Sequence, residues 1–350
     1  MRRRASLLLV PAGILCLEAA RLIAQGPPHP TVERVQALKL DVVAGDRMTQ
    51  VLRRQWARPG RQSTDDLPED LADAAPGLSA WLVQQGAVQS STELFAVRVT
   101  GKGKPMLLIP GLISSGDVWN GTVAHYAAAY QCHVLTLAGF AGQPPSDANP
   151  FLPAVRDAIA RYIRQQHLEK PVIVGHSLGG FLALSVAAAY PDLVGKRVIV
   201  DGLPAPGAEQ TPGITAEELA AISQRAAASY AKADAAARRK MIAMMAKDPE
   251  HVATIASWDE ASDRGTAVRA VAESIVGDVR ADLAKVDAPA LVLVTWGGQG
   301  PVDRESVERA LKPQFEHMKH WRFAVSPTAR HFIMYDEPEW MFEEMDQFLR

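Results

Sequence analysis

The stretch PVIVGHSLGGFLALSVAAAY, residues 171–190, reads as a strand that turns abruptly into a helix. At the junction, Gly175-His176-Ser177-Leu178-Gly179 forms a G-x-S-x-G that closes the strand and opens the helix. A serine at the tip of so sharp a turn is backbone-strained, and the turn leaves no room for side chains two residues away on either side, hence Gly175 and Gly179. The exposed hydroxyl then sits by a helix N-terminus, where backbone N–H groups and the helix dipole favour an anion. That setting suits a tetrahedral oxyanion and makes Ser177 a candidate nucleophile. Without its flanks the same pattern would describe an ordinary loop serine.

Outward from the turn, strands alternate with helices, the signature of an α/β fold with a mostly parallel sheet. LFAVRVTGKGKPMLLIPG (94–111) reads as two strands across a glycine turn, HVLTLAGFAG (133–142) as a third strand and AVRDAIARYIRQQH (154–167) as a helix. KRVIVDGLP (196–204) supplies the strand after the Ser177 helix and ends at Asp201. From about residue 205 to 283 the strands give way to helical segments rich in Ala, Met and charge. APALVLVTWGG (288–298) and WRFAVSPTARH (321–331) then restore the sheet, each followed by a helix. His317 and His320 are expected on a helix at i, i+3 spacing, as surface residues without a metal-site partner. No internal repeat or low-complexity tract interrupts the pattern.

The 350 residues are 48% hydrophobic and 22% charged, the composition of a globular protein with a sizeable core. Lys and Arg number 37 against 39 Asp and Glu, so no basic field argues for nucleic acid, and a small-molecule partner is expected. Two cysteines, Cys16 and Cys132, are too few for a disulfide framework or a Cys-rich metal site. Arg2, Arg3 and Arg4 followed by ASLLLVPAGILCL read as an export signal over residues 1–24, too short for a comfortable membrane span. This predicts a periplasmic or secreted protein; the competing readings are a membrane anchor and a buried helix. Residues 25–92, Pro-rich and charged in patches, form an extension to which no chemistry is assigned.

The segment from about Leu94 to Arg350 resembles an α/β-hydrolase, both in its elbow and in the order of its parts. The resemblance implies a core over 93–204 and 284–350, with residues 205–283 as a helical cap over the elbow. It also implies a second oxyanion donor in the turn IPGLISSGDVW (109–119), where Pro110 stands in place of the family's usual histidine; the N–H groups of Leu112 and Leu178 match the donor positions. His331, in RHFIMYDEPEW, matches the closing pattern that carries the general base. His176 is expected to pack beside the nucleophile without taking protons. Met241, Met244 and Met245 are candidates for an acyl pocket, with helix-core methionines as the plainer reading, and Trp258 and Trp296 are weaker pocket candidates.

The acid is the departure. In the family it follows the strand that here reads LVLVTWGGQG (291–300), yet Gly300 occupies its place. Asp303 lies three residues further on, where an aspartate before a helix suits an N-cap. Asp201 closes a neighbouring strand, and strand carboxyl ends in such a sheet face one crevice. Some members of the family take their acid there. Asp201 is therefore the expected acid, with Asp303 as the alternative.

The leading reading is a serine hydrolase that cleaves an ester, less readily an amide or thioester, through an acyl-enzyme with Ser177 as nucleophile and His331 as base. No metal or organic cofactor is implied. An acyltransferase, a cofactor-free haloperoxidase-type activity and a non-catalytic binding protein on the same fold are the alternatives.

Overall fold

The computed structural model describes residues 89–91, 93–208, 214–295 and 304–350. The expectations for residues 1–24 and 25–88, and for Trp296, Gly300 and Asp303, fall outside them. The described residues divide into two units. In the smaller, strand β1 (Gln89–Ser91) goes with Arg98–Thr100; the larger comprises Thr92–Val97 and Gly101–Arg350.

The larger unit is organised on the first half of strand β2 (Phe95–Thr100) and on strands β3 (Lys104–Ile109), β4 (Tyr130–Leu137), β5 (Val172–His176), β6 (Arg197–Val200), β7 (Ala290–Val294) and β8 (Trp321–Val325), in the spatial order β2-β4-β3-β5-β6-β7-β8. From β4 to β8 every pairing is parallel. Every residue of β5, β6 and β7 is buried, because helices cover both faces of a parallel sheet and its strands then read as unbroken apolar runs.

The crossover helices follow from their patterns. In α2 (Phe151–Gln165), Phe151, Leu152, Val155, Ala158, Ile159, Tyr162 and Ile163 recur at helical spacing and are all buried. In α3 (Leu178–Ala189) every residue through Ala188 is buried, so this helix runs through the core and packs on β5, β6 and α2. Helix α1 (Asn120–Tyr126) follows the loop after β3. The closing helix α10 (Pro338–Leu349) buries Met341 and Met345 and meets β7 and α1.

Between β6 and β7 the chain forms four helices: α4 (Ala216–Lys232), α5 (Ala235–Ile242), α6 (Pro249–Ala261) and α7 (Arg264–Val276). Each begins at a side-chain cap, Thr215, Asp234, Asp248 and Asp263 respectively, which answers an orphan N–H of the first turn. A buried ion pair, Arg238 Nε to Asp259 Oδ2 at 2.6 Å, ties α5 to α6. Tyr230 of α4 donates to the same carboxylate at 3.1 Å. Glu273 of α7 accepts the N–H groups of Phe151 and Leu152 at 2.8 and 2.7 Å, joining the insertion to the start of α2. Among the described residues, no helix is long and apolar enough to cross a membrane.

One element departs from expectation. His317 and His320 are not on a helix: α8 (Arg304–Leu311) is followed by a short 3-10 turn, Lys312–Phe315, and the chain then enters β8. Trp321 must pair with Ala290, which leaves no length for another helical turn.

The junction of β5 and α3 admits no side chain at its two glycines. A Cβ on Gly175 would lie 2.1 Å from the Gly179 carbonyl oxygen, and one on Gly179 would lie 2.2 Å from that of Ile109. Both obstacles are backbone. Gly179→Ala is therefore expected to destabilise the fold by at least the ~1–3 kcal/mol typical of overpacking, read as a lower urea midpoint. An unchanged midpoint would contradict the packing described.

Candidate active site

Ser177 stands at the tip of this junction with φ 52° and ψ −117°, a strained conformation for any residue but glycine. Its N–H bonds the Val200 carbonyl at 2.9 Å, so the tip is fastened to the end of β6. Next along β6 is Asp201, also at positive φ, 48°, whose N–H bonds the Leu293 carbonyl of β7 at 2.7 Å. Its carboxylate makes two firm contacts. Oδ1 accepts the Thr295 N–H at 2.9 Å, and Oδ2 lies 2.6 Å from His331 Nδ1. The aspartate thus does not close a local turn on Gly202 or Leu203; it reaches across the sheet end to two other segments. In the tautomer that donates Nδ1–H to Asp201, Nε2 is the ring's acceptor.

Ser177, His331, Asp201, Leu112 and Leu178 all line one cleft of about 1240 Å³. Among the described residues no hydrogen bond joins Ser177 Oγ to His331, a contact that commonly tightens only once substrate is bound. Nor, among the described residues, does the N–H of Leu112, after β3, or of Leu178, which opens α3, have a carbonyl partner. The loop that carries Leu112 turns at Ile113, a β-branched residue at φ 58°. With proline at position 110, the histidine supporting this loop comes from the elbow: a Cβ on Gly111 would lie 2.9 Å from His176 Nδ1 and 3.3 Å from Ser177 Cβ.

His176 is buried, and its Nε2 lies 3.0 Å from the His331 carbonyl oxygen, to which it donates. Its ring also faces those of His331 and Phe332, at centroid distances of 4.6 and 4.7 Å. Burial, and then the charge of His331 when protonated, push its pKa well below the ordinary imidazole value. It is a neutral prop.

Met241, Met244 and Met245 line the cleft, with Met241 and Met244 37% and 45% exposed, so these two are not helix-core residues. Trp258 is absent from the lining. Thr295 and Arg330 were not legible as parts of the site, since nothing in their local sequence marks them. Among the described residues no group of His, Cys, Asp and Glu is placed to hold a metal ion.

A parallel sheet with a strained serine between a strand and the helix that follows it defines the α/β-hydrolase class. This chain belongs to the alpha/beta hydrolase family, whose profile matches residues 106–344. Among curated relatives, the pimeloyl-[acyl-carrier protein] methyl ester esterase of Aeromonas salmonicida is 28% identical over 153 residues, 43% of this chain and 57% of the relative. The sn-1-specific diacylglycerol lipase ABHD11 of Xenopus laevis is 34% identical over 110 residues, 31% of this chain and 35% of the relative. The matches thus span between a third and somewhat over half of those proteins. An esterase structure from Thermogutta terrifontis superposes with a TM-score of 0.60 at 22% identity, covering 73% of this chain and 93% of that one. An Exiguobacterium antarcticum esterase gives 0.62 at 15%, covering 73% and 95%. At such identities the structures show the fold.

The neutral histidines carry a pH dependence. His133, buried on β4 and bonded to Tyr162 Oη at 2.7 Å, has its pKa lowered by burial from 6.5 to about 4, the same direction as His176. In the unfolded chain both protonate near the ordinary value, so acid favours unfolding. Stability should be level above pH about 6.5 and fall toward pH 4, with a limiting slope of about 1.4 kcal/mol per pH unit for each histidine. Urea unfolding at pH 7.5, 6 and 5 measures it, and His133→Gln should remove one proton's share of the slope.

Proposed function

We propose that this protein is a serine hydrolase that cleaves an ester of a small molecule through an acyl-enzyme. The observation that carries the reading is the 2.6 Å contact between Asp201 Oδ2 and His331 Nδ1 at the rim of the cleft that Ser177 also lines. A carboxylate on Nδ1 holds the tautomer whose Nε2 accepts a proton, and it stabilises the imidazolium that forms. Ser177 Oγ attacks the ester carbonyl carbon while its proton passes to His331 Nε2. The carbonyl electron pair moves onto oxygen, where the Leu112 and Leu178 N–H groups receive it. Collapse of this intermediate breaks the bond to the alcohol, which departs with the proton from His331. Water attacks the acyl-serine by the same route and releases the acid.

An ester is favoured over an amide because the relatives from Aeromonas and Xenopus are both named for ester substrates. The helical insertion acts as a cap, and Met241, Met244 and Met245 give the cleft an apolar, adaptable wall suited to an acyl or alkyl chain.

Ser177→Ala should lower turnover of p-nitrophenyl esters by about a thousandfold or more and abolish fluorophosphonate labelling, with the urea midpoint unchanged. Full activity in that variant would end the mechanism.

The acid is tested separately. Asp201→Asn should reduce kcat by orders of magnitude and slow fluorophosphonate labelling, whereas Asp303→Asn, at a position the sequence reads as an N-cap that asparagine fills as well as aspartate, should change stability and rate little. If Asp303→Asn alone is inactive, Asp303 supplies the acid.

A further inference from the structure

His331 lies on the loop between β8 and the helical turn α9 (Ile333–Asp336), and both of its neighbours in sequence are bonded to the helical insertion. Arg330 Nη1 donates to the carbonyl oxygens of Ala243 and Ala246, each at 2.9 Å. These carbonyls end α5 and the turn after it, so a guanidinium answers orphan acceptors at the negative end of a helix. Phe332 N–H donates to the Met245 carbonyl at 3.2 Å. Asp336 closes the arrangement: Oδ1 accepts the Lys247 N–H at 2.9 Å and Oδ2 accepts the Arg330 N–H at 2.8 Å.

A second contact runs through the rings. His251, at the start of α6, stacks on Tyr335 with centroids 4.1 Å apart and planes 10° apart. Tyr335 is nearly parallel to Phe332, and Phe332 faces both His176 and His331. The stretch that receives Arg330, residues 243–246, carries Met244 and Met245 of the cleft wall. One set of bonds therefore holds both the wall and the base.

We infer that Arg330 is a positioning residue: by gripping the Ala243 and Ala246 carbonyls it sets the place of His331, so that the insertion and the general base move as one body. This rests on His331 being the base, as proposed above. Among the described residues the Arg330 guanidinium has no carboxylate partner, so its two bonds to the insertion are what fix it. The consequence for catalysis follows from reach. A base displaced by a fraction of an ångström still binds Asp201 poorly or well, but it delivers its Nε2 to Ser177 only from one place.

The test uses Arg330→Gln, which cannot span both carbonyls, Arg330→Lys, which keeps the charge and can reach one, and Asp336→Asn, which leaves Arg330 intact and removes a carboxylate oxygen as acceptor. At a temperature well below unfolding, Arg330→Gln should lose about tenfold or more in kcat with KM for a short p-nitrophenyl ester within about twofold. Arg330→Lys should recover part of the loss and Asp336→Asn should fall between. The readout independent of turnover is the far-downfield proton of a His331 Nδ1–H···Asp201 pair by NMR, expected in the wild-type protein and exchange-broadened in Arg330→Gln. A purely structural role would lower the unfolding midpoint while leaving kcat and that proton as in wild type, and this result overturns the inference. If wild-type protein neither labels with fluorophosphonate nor turns over esters, the hydrolase reading fails; the proton then decides alone whether Arg330 positions His331.

Discussion

Close contact of three backbone segments at the sheet centre is the constraint on which the site depends. Gly175 faces the Gly179 carbonyl and Gly179 faces that of Ile109, each so near that not even a methyl group fits. Because these contacts are between main chains, no side-chain rearrangement relieves them, and the positions of β3, β5 and α3 are set together. Ile109 is the last residue of β3, and the chain reaches Leu112 three residues later. The contact that fixes Ser177 thus also fixes the relation between the N–H groups of Leu178 and Leu112, one on α3 and one on the loop from β3. Tight packing at this point does the work of preorganisation.

Among the described residues, three of the six non-glycine residues at positive φ lie at or beside the cleft. Ser177, Asp201 and Ile113 take φ of 52°, 48° and 58°, conformations that cost on the order of 1–3 kcal/mol each in non-glycine residues. Ser177 and Asp201 each follow directly on a strand end, Ile113 lies in the loop after β3, and each either is, or adjoins, a residue lining the cleft. The ladder holds the first two of these. Ser177 N–H bonds the end of β6, Asp201 N–H bonds the end of β7, and Ser326 N–H bonds Val294 at the end of β7. A parallel sheet extends its hydrogen bonding one residue past the strands, and those extra bonds carry the functional residues.

Much of this was legible because buried parallel strands and strained turns leave marks in composition. VIVGH, RVIV and ALVLV can be read as strands from their apolar runs, and the glycines around Ser177 declare the close approach in the sequence itself. Asp201 was legible as a strand end and, through the family resemblance, as the expected partner of His331, but the bond it receives from Thr295 was not, since that joins residues 94 apart. Arg330 was invisible for the same reason: its acceptors are main-chain carbonyls, which every residue has. The methionines of α5 and the turn after it misled in the other direction, because apolar residues on a helix suggest a core, and whether a face meets the core or a cleft depends on what lies opposite. His317 and His320 followed a helical spacing that β8 pre-empts.

The three polar groups of the site differ in how they are held, and the difference has consequences. Ser177 and Asp201 belong to strand ends whose amides are in the ladder. His331 does not; the ladder stops at Ser326, five residues earlier, and the loop must find its own partners. It does so residue by residue: the Ser326 hydroxyl takes the Ala329 N–H, Glu337 binds Ser326 and Thr328, Asp336 takes the Arg330 N–H and His176 holds the His331 carbonyl. Every one of these bonds is local or comes from the core except those from residues 243–247 of the insertion. A displacement of the insertion therefore has a direct path to His331 through residues 243–247 and a second to the loop of Leu112, where the Ser262 hydroxyl donates to the Ile113 carbonyl at 3.4 Å, whereas the Ser177 N–H is bonded to the end of β6. Any effect of the insertion on the site should therefore act through His331 and through the loop that carries Leu112, leaving the Ser177 elbow, fastened to the sheet, as it stands.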